Sequence, residues 1–138
     1  MTVVVRNETR DVVLAANAEV ARGPWGQFVG LMGRRGLAAG GGLVLPRTRA
    51  VHSHFMRFTI DVLFFDREYI VIGMAERLSP WRLSRYYWKA SGAVELPGNA
   101  LAETGTRIGD RMSIAEIHRN GPPDPRTSPD AHSRNLAP

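Results

Sequence analysis

The stretch AVHSHFMRFTIDVLFFD, residues 50–66, decides how this chain is read. Its second half is β-branched and aromatic, a composition suited to a pleated, half-buried surface. Strand alternation puts His52, His54, Met56, Phe58, Ile60, Val62 and Phe64 on one face. Ser53, Phe55, Arg57, Thr59, Asp61, Leu63 and Phe65 share the other. The first face is apolar from Met56 onward, which predicts a core strand with a polar start. His52 is then expected near one end of the sheet.

Reading outward, residues 2–6 and 11–14 form two short strands joined by a turn-prone Asn-Glu-Thr. Residues 24–36 predict a short helix: Pro24 suits its first turn and Gly36 its exit. Trp25, Phe28, Leu31 and Met32 fall on one helical face, read as core. A glycine turn at 38–42 leads to a buried strand at 43–46, and Asp66-Arg67-Glu68 makes a hairpin into a strand ending near Leu78. Residues 79–92 are an excursion, and Pro97-Gly98 matches a type II turn. Residues 106–117 predict a last hairpin around Gly109-Asp110. The expected fold is mainly β, a compact β-sandwich or jelly-roll-like barrel with one short helix. Residues 1–118 form the domain, and the Pro- and Ser-rich residues 119–138 are expected to be a disordered tail.

The length of 138 residues suits one domain with its own core, and 43% apolar with 22% charged residues is ordinary for a globular chain. The absence of cysteine excludes disulfides, thiolate metal sites and cysteine nucleophiles. The N-terminus lacks the pattern of a secretory signal, and no apolar run approaches the roughly 20 residues that span a bilayer. A soluble, cytoplasmic protein that does not engage membranes is the expectation. The net charge is +5, and all but one of the eighteen basic residues are arginine. Position says more than the total. Residues 20–60 hold six arginines and no acid, and residues 77–94 hold four bases and no acid. These blocks are compatible with an anionic small molecule or acidic partner, and a merely solvated arginine surface is the plainer reading of them.

Three blocks together, GLMGRRGL (30–37), HFMRFTIDVLFFD (54–66) and AVELPGNALAETGTRIGDRM (93–112), resemble the family called domain of unknown function 192. The resemblance runs from Val12 to Ile117 and implies a compact β-sandwich with jelly-roll character and one helix carrying the GLM segment. It implies no established reaction. Many members carry a secretory or lipoprotein-type leader, which this sequence lacks. Thr59 stands where members often have proline, so a straighter strand is expected there.

The candidate ligand-binding residues are Arg34, Arg35, His52, Met56, Arg57 and Asp61. Arg57 would contact an anion and Asp61 orient it; alternatively Asp61 is buried and satisfies backbone donors. Arg34 and Arg35 equally suit the C-terminal end of a helix dipole. His52 and His54 have the His-x-His spacing of cupin metal sites, but Arg57 and Phe58 stand where the next ligand would lie. No metal or other cofactor is therefore expected. Ser53 has no nucleophile-elbow context, and Asp61, Asp66, Glu95 and Asp110 are the carboxylates that could converge. Trp81, Tyr86, Tyr87 and Trp88 interleave with Arg82, Arg85 and Lys89, suited to stacking bases and holding phosphates, or to plugging the core. Three functions follow. The first is a non-enzymatic ligand- or partner-binding module with a basic site. The second is an enzyme, such as a metal-assisted hydrolase, using Asp61 with His52 or His54. The third, less favoured, is a nucleic-acid-binding accessory protein. Oligomeric state is not readable from the sequence.

Overall fold

Seven strands run through the described residues: β1 (Thr2–Asn7), β2 (Val12–Val20), β3 (Gly41–Pro46), β4 (Ile60–Phe65), β5 (Val71–Leu78), β6 (Gly92–Pro97) and β7 (Met112–Glu116). The computed structural model describes residues 1–21, 37–54 and 56–117. The helix expected over 24–36, with Arg34 and Arg35, lies outside them, as do Phe55 and the tail at 119–138. The strands form one sheet in the order β5-β4-β6-β3-β2-β1-β7. Every pairing is antiparallel except β2 with β3.

The sheet curls until its two edges meet at one corner. Ile70 bridges Arg111, and the Met112 amide donates to the Tyr69 carbonyl at 2.8 Å. The result is a half-barrel, consistent with the mainly-β, barrel-like expectation. Apolar residues from all seven strands fill the inside of the curl, among them Val5, Ala15, Val44, Leu63, Val71, Leu96 and Met112. A second cluster lies on the outer face of β3, β4 and β6, where Ile60, Val62 and Phe64 pack with Val51 and Met56. Every residue of β4 is therefore buried. Tyr87 tops the outer cluster, its ring centroid 4.5 Å from that of Phe64. Gly73 makes room for it: a Cβ there would sit 2.2 Å from the Tyr87 ring.

Several local expectations change. β4 begins at Ile60, and the chain before it is irregular apart from a bridge between His52 and Leu83. Its polar residues hydrogen-bond a neighbouring loop instead of a strand. β2 extends to Val20 because Ala15 and Ala18 are small enough to be buried in the curl while β1 and β3 pair on either side. Residues 106–111 turn without forming a hairpin strand, since their amides and carbonyls meet Val71, Glu8 and Thr9. The left-handed residue after β6 is Asn99, at φ 75°, not Gly98. It opens a helix the sequence reading missed, α1 (Ala100–Thr104), which ends on Gly105 at φ 68°. Gly105 is the helix-stopping residue for which glycine is suited.

Asp61 ties this end together. Fully buried on the inner face, it accepts the Arg77 amide at 2.8 Å on Oδ1 and the Leu101 amide at 2.9 Å on Oδ2. Arg77 lies in a bulge of β5 at φ 53°, and Leu101 is in the first turn of α1, whose own Asn99 provides no side-chain cap. A strand residue thus caps a helix forty positions away. Glu95 is on the opposite face. It lies between Leu43 and Val62 across the sheet, and its carboxyl forms no hydrogen bond or ion pair among the described residues. Burial pushes its pKa from 4.5 up to about 7.

Two stability measurements test these assignments. Asp61→Ala strands two amides and should cost roughly 3–5 kcal/mol by urea unfolding. Asp61→Asn aims an NH₂ at one of them and should also destabilise; a value within about 0.5 kcal/mol of wild type would remove Asp61 as the clamp. For Glu95, the folded state holds the proton more tightly than the unfolded state. Its contribution is therefore fully present below pH 4.5 and lost as pH rises through about 7. Glu95→Gln should abolish that component and be more stable than wild type by about 3 kcal/mol near pH ~8. Parallel pH profiles for the two proteins would contradict it.

Candidate functional site

Two irregular segments lie side by side over one end of the sheet and are laced by main-chain bonds. The Arg47 amide donates to the Ser91 carbonyl and the Tyr87 amide to the Arg49 carbonyl, both at 2.7 Å. Val51 and Ser84 bond each other, with the Val51 amide also donating to Ser84 Oγ at 2.9 Å in the pair. The Ser53 amide donates to the Arg82 carbonyl at 2.8 Å. Ser53 Oγ also accepts the Arg82 amide at 2.9 Å and donates to the Ser79 carbonyl. The 79–92 excursion is thereby pinned from beneath, and of its aromatic side chains only Tyr87 turns down toward the core.

Its other large side chains face outward. Trp88 is 67% and Tyr86 63% exposed, and Trp81 and Leu83 are exposed as well. The expectation that these aromatics plug the core holds for Tyr87 alone. Beside them runs a groove made of two adjoining depressions. One, of about 600 Å³, is lined by Arg47, Arg49 and Tyr86. The next, of about 440 Å³, is lined by Arg49, Arg67, Trp88 and Lys89, together with Asp66 and Glu68. Arg49 Nη1 donates to the Tyr86 hydroxyl at 3.5 Å, and Lys89 Nζ lies 5.3 Å from the centroid of the Trp88 ring. Asp66 Oδ1 accepts the Glu68 and Ile70 amides at 2.9 and 3.0 Å, so that oxygen serves the hairpin. Arg47, Arg49, Arg67 and Lys89 form no ion pair among the described residues.

Of the residues named from sequence, Arg34 and Arg35 lie outside the described residues, and the others have different surroundings. Met56 is buried in the outer cluster, Arg57 is exposed, His52 is half-buried, and Asp61 faces inward under two amides. His54 sits with its ring centroid 5.3 Å from that of His52 and meets the edge of Trp81 at 5.6 Å. The four carboxylates are also dispersed: Asp61 and Glu95 are on opposite faces, and Asp66 is in the β4–β5 turn. Asp110 accepts Asn7 Nδ2 at 2.9 Å, Arg10 Nε at 2.7 Å and the Arg107 amide at 2.9 Å. Burial pushes its carboxyl up, but the bonds from Asn7, Arg10 and Arg107 outweigh it and hold it below its ordinary value. Among the described residues, no three His, Asp or Glu side chains converge in a way that could hold a metal ion. No described helix is long and apolar enough to cross a membrane. Arg47, Arg49, Arg67 and Lys89 were missed as a set. The acid-free blocks contained three of them, but only the fold shows which arginines share a groove.

The comparisons with known proteins agree with this architecture. A crystal structure of a protein of unknown function from Novosphingobium aromaticivorans superposes with a TM-score of 0.71 at 22% identity, covering 82% of this chain and 84% of that one. One from Sinorhizobium meliloti, described as a candidate transcription regulator, superposes at 0.68 and 22% identity, covering 82% and 92%. These likenesses establish the fold. No curated protein matches the chain. The family model for domain of unknown function 192, described as an uncharacterised ACR, matches residues 4–114. With nearly all of the β-sheet inside that match, the chain belongs to the domain of unknown function 192 family.

Proposed function

We propose that the protein is a non-enzymatic binding module whose groove over the strand ends accepts an anionic ligand with a flat apolar part. The observation that carries this reading is the exposure of Trp88 and Tyr86 beside Arg47, Arg49 and Lys89 on a backbone held by paired loops. Cations without acidic partners supply charge-assisted hydrogen bonds, and the rings supply a face for stacking. A fixed backbone reduces the ordering cost of binding. Arg57 and His52 lie on the segment before β4 and line neither depression. The hydrolase alternative is weaker because Asp61 is fully buried with an amide on each oxygen. A general base must instead reach the proton it removes.

A second reading has its own support. Trp81, Arg82, Leu83 and Arg85 are all exposed on the outer side of the excursion, the residue types that stack and neutralise single-stranded nucleic acid.

Calorimetric titration with benzoate separates these readings. The Arg49→Ala/Lys89→Ala variant should bind benzoate at least about tenfold more weakly than wild type. Its melting temperature should stay within a few degrees, because both side chains are exposed. Unchanged benzoate affinity would refute the groove. Retention on a single-stranded oligonucleotide column near ~0.15 M salt, lost in Arg82→Ala/Arg85→Ala but kept in the groove variant, would favour the second reading.

A further inference from the structure

Among the described residues, the two edges of the sheet are bridged at the Ile70–Arg111 corner, and beyond it no ladder pairs β7 with the β4–β5 hairpin. The gap is a cleft of about 380 Å³ opening onto the inside of the curl. Val3, Val20, Val44, Phe65 and Ile114 give it apolar walls. That volume falls within the range of small-molecule sites, and apolar walls with few polar groups are their usual lining. The cleft also meets the basic groove. Asp66, Arg67 and Ser91 line both, so Arg67 stands on the lip where apolar wall gives way to cationic surface.

From this continuity we propose that the ligand is an amphiphilic anion, with a hydrocarbon tail in the cleft and a carboxylate at Arg67. The proposal rests on the reading of the basic groove for its anionic head and moves the apolar part of the ligand from the exposed rings into the cleft. Tail burial would be driven by removal of apolar surface from water, while Arg67 with the nearby Arg49 and Lys89 would fix the head. Two acids also line the cleft, Asp66 and Glu116. Asp66 is turned to hairpin amides through Oδ1, and Glu116 is on β7, the strand opposite the hairpin that carries Arg67. A head at Arg67 is therefore favoured over one deeper in the cleft.

Calorimetric titration of the full chain with acetate, butyrate, hexanoate and decanoate tests the proposal, with benzoate and decanol as separate arms. Affinity should rise with tail length by up to roughly fourfold per methylene until the cleft is full. Decanol should bind at least about tenfold more weakly than decanoate, as should decanoate to Arg67→Ala. Ile114→Trp should weaken decanoate and spare benzoate; should that variant misfold, the length series on wild type decides alone. Benzoate binding with no dependence on tail length would overturn the cleft while leaving the groove intact. Failure of both benzoate and decanoate would remove the groove and the cleft together. Decanol binding equal to decanoate would overturn the anionic head.

Discussion

The buried carboxylate of Asp61 is the constraint on which the arrangement of this sheet depends. Two backbone amides from different elements converge on it, one from a strand bulge and one from a helix start. Neither could be left without a partner inside the curl at less than about 1–3 kcal/mol. The short helix has no cap of its own, so its position is set from β4. The bulge bends β5 at the same place, since a left-handed residue in a strand changes its direction. One side chain therefore fixes where the edge strand turns and where the end of the half-barrel is plugged.

The strand pattern was legible where alternation and β-branched residues coincide, as in residues 60–65 and 92–97. It failed where residues of one type serve two environments. His52, Ser53 and His54 fit an alternating strand, yet Ser53 is consumed by the loop beside it. The sequence Ala-Leu-Ala-Glu-Thr-Gly carried a readable helix stop, but five residues are too few for propensity to reveal a helix without its distant cap. Asp61 was legible as one of two alternatives, and the amides it accepts come from residues 16 and 40 positions away, which no local pattern encodes. The groove was half visible. Acid-free blocks marked three of the four cations, and pairing of two loops decided which of them meet.

That pairing also explains how aromatic residues come to be exposed. The excursion is anchored by main-chain bonds and by one inward tyrosine seated over a glycine. With cohesion supplied by those contacts, Trp88 and Tyr86 are not required by the core. Their exposure retains apolar surface in water, and the proposed binding role rests on it. The strand ends contribute the rest of the surface, because β3 and β4 both finish beneath the excursion.

The adjacency of β1 and β7 bears on how the protein is made. The first strand of the sheet to be synthesised pairs with the last of the sheet, with five matched positions between them. Until the last strand emerges, β1 can pair with β2 but has a bare edge on its other side. Such an edge is a template for other chains. The parallel contact of β2 with β3 adds a second non-local closure, so the topology favours slow folding. The nascent sheet would thus be most open to association just before β7 emerges, and assistance that shields one strand edge would have its greatest effect then.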